Sequence, residues 1–227
     1  MCSGEGILNL DYQLSYAPIT ILAFFPIHKF GPDGKQCSKI QPELGYEPLM
    51  AFKYAINQIN KNKSSFKESK LGYMIFDTCT NASYSANILT AFDNDVKFFS
   101  KAPELPVMTS LHVLIGGIHN EVSESLYKTS KTGYRLVQIT PGSSSDKFKQ
   151  KEEFEYFLRS VPSESNEVEA FASTVKSLGW TYVSIVVTDN HTDKSKVLEK
   201  VLYEKQICLA TKEIIHENQK ENQIEYD

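Results

Sequence analysis

The sequence has 227 residues, of which 41% are hydrophobic and 11% aromatic, a composition typical of globular proteins that argues against extensive disorder. With 24 Lys and Arg against 28 Asp and Glu, the formal net charge is −4, so no basic surface is expected for a nucleic-acid partner. No run of about 18 apolar residues is present, and the sequence therefore predicts no membrane-crossing helix.

The first half of the chain alternates between strand and helix patterns. A strand is predicted at 19–26 (ITILAFFP), followed by a polar loop at 28–41. A helix is predicted at 45–60, because Pro48 falls near a first turn, where its missing N–H costs nothing. Its apolar residues recur at helical spacing and are Leu49, Phe52, Ala55, Ile56 and Ile59. The next strand is LGYMIFD (71–77), and the helix after it presents one apolar face formed by Tyr84, Ile88, Phe92, Val96 and Phe99.

The same alternation continues through the second half. The predicted elements are a strand at 111–117, a helix at 121–130, a strand at 134–140, a short extended piece at 156–162, a helix at 167–179, a strand at 180–189, a helix at 194–205 and a strand at 206–215. Several strands are apolar on both faces, which indicates a parallel sheet covered by helices on each side. The predicted fold class is therefore α/β, doubly wound.

The strand and helix pattern restarts near Pro162 and Ser163, which predicts a boundary between two lobes. We expect residues 1–160 to form the first lobe and residues 161–227 to begin a second. The second part contains only two or three predicted strands, too few to close a sheet with its own core. The second lobe is therefore expected to be incomplete.

No motif for catalysis or for a cofactor stands out. The chain has no glycine-rich nucleotide loop, and Gly116 with Gly117 after a strand is more typical of a tight turn than of an anion site. The five histidines show no metal-binding spacing, and Asp77 at a strand end is more typical of a turn or cap residue than of a general acid. We expect no cofactor, no metal and no enzymatic activity.

The chain contains four cysteines, Cys2, Cys37, Cys79 and Cys208, which lie too far apart for a zinc knuckle or a Cys-X-X-Cys pair. Disulfides and isolated thiols both remain open at this point. Glycosylation sequons begin at Asn62, Asn81 and Asn190, a modest excess that favours the cell exterior. The first ten residues show no secretory signal pattern.

Segments spread over nearly the whole chain resemble, in order, the extracellular Venus-flytrap domain of class C G-protein-coupled receptors, the metabotropic glutamate and calcium-sensing receptor group. They are FFPIHKFG…C (24–37), MAFKYAINQIN (50–60), LGYMIFDTC (71–79), LIGG…VS (114–123), SSDKF with YFLRSVPS (144–163), LGWTYVS (178–184) and ICLA (207–210). The resemblance implies a periplasmic-binding-protein-like (type I) fold. It implies a disulfide between Cys37 and Cys79, and a Cys208 that bonds to a cysteine-rich domain and so pairs with neither.

The resemblance also implies a small amino-acid-like ligand bound between two lobes. Carried over position by position, the ligand-binding residues are Asn120, Glu121, Gln138, Thr140, Glu164 and Thr192. Pro48 stands where glutamate receptors carry a basic residue, and Asn120 and Glu121 replace serines that hold the ligand carboxylate. A carboxylate at Glu121 would repel an acidic ligand. We therefore expect a neutral or cationic amine-bearing ligand rather than glutamate.

The implied partners follow from the same resemblance. We expect a homo- or heterodimer through the first lobe, with Leu89, Phe92, Val122 and Leu126 as candidate contacts, in a receptor at the cell membrane that signals to a heterotrimeric G protein through a membrane domain absent from this chain. Two alternatives are a non-sensing dimerisation module whose cleft chemistry has decayed, and a soluble solute-binding protein of the same fold. The three cysteines of the resemblance disfavour the soluble protein.

Overall fold

The computed structural model describes residues 17, 19–31, 37–62, 70–99, 111–133, 135–188 and 192–216, with the backbone alone at 93–99, 111, 112, 192 and 193. The chain divides into two compact units, Met1–Val161 and Pro162–Asp227. Each unit contains its own parallel strands and its own helices.

The first unit is a five-stranded parallel sheet with helices on both faces. Its elements are β1 (Ile19–Phe25), β2 (His28–Phe30), β3 (Cys37–Ile40), a π-helix (Pro42–Tyr46), α1 (Glu47–Lys61), β4 (Leu71–Asp77), α2 (Ala82–Phe99), β5 (Leu111–Gly116), α3 (Asn120–Thr132), β6 (Val137–Thr140), a 3-10 helix (Asp146–Lys149) and β7 (Phe157–Arg159). The strand order is β4-β1-β5-β6-β7. This is the doubly wound α/β architecture that the sequence predicts.

Strand β1 is the centre of the core because both of its faces are buried. Leu22 and Phe24 pack on one side with residues of α2 and α3. Ala23 and Phe25 point to the opposite side, where they pack with Leu49 of α1. Successive side chains of a strand point to opposite faces, so a strand between two helical layers must be apolar at every position. The unbroken run ITILAFF meets that requirement.

The candidate dimer contacts on α2 and α3 are part of this core. The accessible fractions of Leu89, Phe92, Val122 and Leu126 are only 2%, 8%, 2% and 0%, and all four side chains belong to one cluster with β1. The prediction that they contact a second copy is therefore wrong. Their helical spacing reflects packing on the sheet, because an amphipathic helix on a sheet turns its apolar stripe inward.

Two further predictions need correction. The polar stretch 28–41 is not simply a loop, because β2 and β3 pair as an antiparallel hairpin within it and a π-helix follows directly. Ala55, predicted to lie on the apolar face of α1, is exposed.

Pro48 does lie in the first turn of α1 as predicted. Val96 and Phe99 lie outside the described side chains.

The second unit contains α4 (Glu164–Ser177), β8 (Tyr182–Thr188), α5 (Thr192–Glu204) and β9 (Cys208–Ile215). Strands β8 and β9 pair in parallel. Ile185 packs with side chains of both helices, including Ala172 and Leu202, whereas Tyr182 and Val186 on the other face are each 66% exposed. Within the described ranges, no helix is long and apolar enough to span a membrane.

Candidate functional site

The candidate site of the first unit lies where the direction of strand addition reverses. From β1 the chain adds β4 on one side and then β5 on the other, so the loops after β1 and β5 diverge at the carboxyl ends of these strands. Open α/β sheets bind ligands in the crevice formed at such a reversal. The loop after β5 leads into α3, and the loop after β6 lies beside it.

Two glycines, at the last position of β5 and directly after it, could not be replaced by any other residue without strain. Gly116 and Gly117 have φ values of +138° and +77°, which L-residues with side chains rarely adopt. A Cβ at Gly116 would also collide with the backbone oxygen of Phe24, and a Cβ at Gly117 would lie 2.8 Å from the Cα of Ser123. The glycine pair therefore lets the loop approach both β1 and α3 closely.

Three hydroxyl groups converge on the backbone oxygen of Gly117. Ser123 of α3 and Thr140 of β6 each donate to this oxygen at 2.5 Å, and the Ser143 hydroxyl lies 2.9 Å from it. Ser143 also lies 2.6 Å from the Ser123 hydroxyl, to which it can donate instead. We call Ser123, Thr140 and Ser143 the hydroxyl cluster. All three residues have no accessible surface.

The Thr140 hydroxyl also receives hydrogen bonds from the loop that follows β6. The N–H groups of Gly142 and Ser143 donate to Thr140 Oγ1 at 3.2 and 3.1 Å. Gln138, two residues earlier, is equally buried and donates from Nε2 to the backbone oxygen of Ser123 at 3.2 Å. In this structure Gln138 and Thr140 therefore support the loops and present no surface to solvent.

Asn120 and Glu121 occupy the first turn of α3, at the edge of the hydroxyl cluster. Asn120 is half-buried, and its Oδ1 accepts the N–H of Ser145 at 3.1 Å. Glu121 is exposed. The structure thus joins Asn120, Gln138 and Thr140 in one network of loops and leaves Glu121 as a charged group at its surface.

His119 immediately precedes α3 and is a polar group that the sequence reasoning did not select. Its Nε2 is buried and has no hydrogen-bond partner among the described residues. Burial lowers the pKa of His119 from its ordinary value of 6.5, and the nearby negative charge of Glu121 only partly opposes this effect. The ring is therefore favoured in its neutral form at neutral pH.

The predicted residues of the second unit lie at the starts of its helices. Glu164 is half-buried in the first turn of α4, directly after Ser163, whose hydroxyl accepts the N–H of Asn166 at 3.4 Å. Thr192 is the first residue of α5, and its side chain lies outside the description. The sequon residue Asn190 also lies outside the described residues.

The other two sequons differ in their surroundings. Asn62 is exposed directly after the end of α1. Asn81 is half-buried, and its Oδ1 accepts the N–H of Tyr84 at 2.8 Å at the start of α2. The Asn81 side chain therefore serves as a helix cap.

Cys37 and Cys79 form a disulfide with their Cα atoms 5.4 Å apart, the pairing that the resemblance implies. Asp77 supports the turn around Cys79, because its Oδ1 accepts the N–H of Cys79 at 2.9 Å and its Oδ2 lies 2.5 Å from His28 Nδ1. Asp77 is thus the turn residue that its position predicts. Although these cysteines and Asp77 lie close together, bonded sulfurs are not thiolate ligands for a metal. Cys208 is a free, exposed thiol.

Sequence reasoning places the loop ends 118–123 and 140–143 side by side, but it does not select Ser123 and Ser143, which complete the hydroxyl cluster, as site residues. Ser123 is the fourth residue after His119, and Ser143 directly follows the turn-forming pair Pro141 and Gly142. Serines close to Gly-Gly and Pro-Gly turns are a signal for bonds to backbone groups, since Ser hydroxyls often satisfy turns. Their convergence on one oxygen depends on the β5–β6 pairing.

Comparison with known proteins identifies the family. Residues 47–225 match the family described as the receptor family ligand binding region. The chain is 29% identical over 220 residues to the probable metabotropic glutamate receptor mgl-1 of Caenorhabditis elegans, covering 90% of this chain and 22% of that protein. It is 28% identical over 190 residues to metabotropic glutamate receptor 8 of Homo sapiens and of Rattus norvegicus, covering 79% of this chain and 21% of each receptor.

The chain thus spans about a fifth of the length of these relatives. The relatives are receptors and not enzymes. The matched region, the central parallel sheet flanked by helices and the Cys37–Cys79 disulfide agree with one another. The chain therefore belongs to the receptor family ligand-binding region, and within it to the Venus-flytrap domains of class C G-protein-coupled receptors.

Proposed function

We propose that the chain is the ligand-sensing region of a metabotropic glutamate receptor-like protein at the cell surface, and that it binds a small amino-acid-like molecule. The observation that carries the proposal is the network of loops after β5 and β6 at the strand reversal. It places Asn120, the first N–H groups of α3 and the exposed Glu121 at one edge of the sheet. The similarity to glutamate receptors supports the proposal independently.

The charge at this edge indicates the ligand class. The N-terminus of a helix favours a carboxylate, whereas the exposed Glu121 repels one and attracts an ammonium group. An amino acid with a neutral or cationic side chain satisfies both groups, but glutamate adds a second negative charge. The chain also has Pro48 at the position where glutamate receptors carry a basic residue, and Pro48 has no charge to pair with that second carboxylate. Neutral or basic amino acids are therefore the proposed ligands.

Isothermal titration calorimetry on an ectodomain that contains this sequence and a complete second lobe tests this proposal with L-lysine, L-glutamine and L-glutamate. We expect L-lysine and L-glutamine to bind more tightly than L-glutamate. Glu121→Gln should weaken L-lysine binding and strengthen L-glutamate binding, each by up to about fivefold, because an exposed ion pair contributes about 0.2–1 kcal/mol. Glu204→Gln removes the same charge from an exposed position in the second unit and should change neither affinity. Tighter binding of L-glutamate by the unmodified chain would refute the ligand class.

Glu164 and Thr192 belong to the proposed ligand site by resemblance alone, and variants of both should weaken binding of the same amino acid. Dimerisation through the first unit and signalling through a membrane domain to a heterotrimeric G protein are also part of the proposal. Dimerisation would use surfaces other than the buried core residues of α2 and α3. If no amino acid binds at millimolar concentration to the ectodomain with a complete second lobe, the non-sensing module becomes the better explanation.

A further inference from the structure

A glycine pair gives the loop after β5 its shape but not its rigidity. Gly117 has no side chain to restrict its rotation, and glycine can adopt many backbone conformations that other residues cannot. The peptide planes from Gly117 to His119 nevertheless determine where α3 begins and which way its first N–H groups point. Some other interaction must therefore hold the Gly117 carbonyl in place.

The hydroxyl cluster supplies that interaction from two directions. Ser123 reaches the Gly117 oxygen from the second turn of α3, and Thr140 reaches it from the end of β6. A carbonyl oxygen has two lone pairs, so these two donors saturate it. Ser143 then donates to Ser123 Oγ, which satisfies every hydroxyl in the cluster. The loops after β5 and β6 are thereby bonded to each other through buried groups.

The connection extends outward to the exposed edge. The N–H of Ser145, two residues beyond Ser143, donates to the side chain of Asn120. The guanidinium of Arg159 on β7 donates to the backbone oxygens of Ser144 and Ser145 at 2.9 and 3.0 Å. The order of contacts therefore leads from β7 through the loop after β6 to the first turn of α3.

We propose that Ser123 and Ser143 are positioning residues of the ligand site, which fix the loop after β5 so that Asn120 and the N–H groups at the start of α3 are preorganised. This inference rests on the proposed function for its ligand and on the hydroxyl cluster for its mechanism. Neither serine contacts the ligand, since both are fully buried. Preorganisation strengthens binding because a loop that is already ordered loses less entropy when the ligand binds.

The test compares Ser123→Ala and Ser143→Ala with Ser130→Ala in the full chain. Ser130 is a matched control because it is also a buried serine of α3. Its hydroxyl donates to the backbone oxygen of Tyr127, near the other end of the helix. The first readout needs no ligand: amide hydrogen exchange at residues 123 and 145, whose N–H groups donate to the His119 backbone oxygen and to Asn120 Oδ1. The second is the dissociation constant for L-lysine by calorimetry. Ser143→Thr keeps the hydroxyl that Ser143→Ala removes, and it should therefore show slower exchange and tighter L-lysine binding than Ser143→Ala.

We expect both cluster variants to exchange at least tenfold faster at residues 123 and 145 and to bind L-lysine about tenfold more weakly, whereas Ser130→Ala does neither. Exchange no faster than that of the control variant would overturn the inference, and so would faster exchange with unchanged affinity. If the unmodified ectodomain with a complete second lobe binds no amino acid, the proposed function fails. In that case the exchange result alone decides whether the cluster orders the loop.

Discussion

Replacing Gly117 by alanine tests whether the close approach of the β5 loop to α3 matters, and Gly179→Ala is its matched control. The two glycines have nearly the same backbone conformation, with φ of +77° and +73°. Their surroundings differ. A Cβ at Gly117 would meet the hydroxyl, Cα and Cβ of Ser123, whereas a Cβ at Gly179 has nothing within 4 Å.

The expected magnitudes follow from this difference. A side chain in the left-handed region costs about 1–2 kcal/mol, and this cost applies to both variants. Only Gly117→Ala adds overpacking, which costs about 1–3 kcal/mol when the neighbours must shift. The neighbours in this case include the backbone of α3 and a member of the hydroxyl cluster. We therefore expect losses of about 2–5 kcal/mol for Gly117→Ala and about 1–2 kcal/mol for Gly179→Ala.

The assay must report each unit separately, because Gly117 and Gly179 lie in different units. Hydrogen exchange measured by mass spectrometry gives opening free energies for peptides of β1 and of β8. Trp180, the one tryptophan in the sequence, provides an independent fluorescence signal for the second unit. Equal losses in the two variants, each in its own unit, would refute the reasoning that crowding by Ser123 makes glycine necessary at position 117.

Three further predictions concern the disulfide, its supporting turn and His119. Replacing Cys37 and Cys79 by serine should lower the stability of the first unit by about 4 kcal/mol, because the disulfide closes a loop with a sequence separation of 42 residues. Urea unfolding of the variant and of the oxidised chain measures this loss, and a loss below about 1 kcal/mol would contradict the chain-entropy explanation. Asp77→Ala should lower the free energy of unfolding by about 1–3 kcal/mol, because the buried N–H of Cys79 loses its acceptor. Asp77→Asn retains Oδ1 and should lower it less, so equal losses would refute the role of Oδ1 as the acceptor for Cys79. Because burial lowers the pKa of His119 in the folded chain, the unfolded chain binds the proton first, so stability should fall as pH decreases below about 6.5. His119→Gln should reduce that pH dependence in urea titrations at pH 7 and pH 5, and an unchanged dependence would count against burial as the cause.

The alternation of strands and helices was predictable from the sequence because it depends on local periodicity. The residues of β1 are apolar without interruption, which is required of a strand buried on both faces, and the helix beginning near Pro48 has apolar residues at helical spacing. The hairpin of β2 and β3 was not predictable in this way. It lies in a polar, glycine-containing stretch, and its pairing depends on contacts between strands rather than on an apolar pattern.

The helix faces show where periodicity alone is ambiguous. Phe92 and Val122 have the spacing of an apolar stripe, but a stripe that packs on the sheet and a stripe that contacts another chain give the same pattern. Only the three-dimensional structure shows that both residues lie in the core beneath α2 and α3. The prediction that Ala55 is buried was wrong for a related reason, because its position at the margin of the apolar stripe leaves it exposed.

The candidate site separates in the same way into local and long-range information. By itself the sequence determined the βα order, the position of Gly116 and Gly117 at the end of the third long strand, and the family resemblance that selects Thr140 and Asn120. Each of these depends on residues that are close together along the chain. The tertiary structure decided that Ser123, Thr140 and Ser143 meet at one carbonyl oxygen and that Thr140 has no accessible surface. These facts depend on the pairing of β5 with β6 and on the packing of α3 above them, which bring together groups 17 to 26 residues apart.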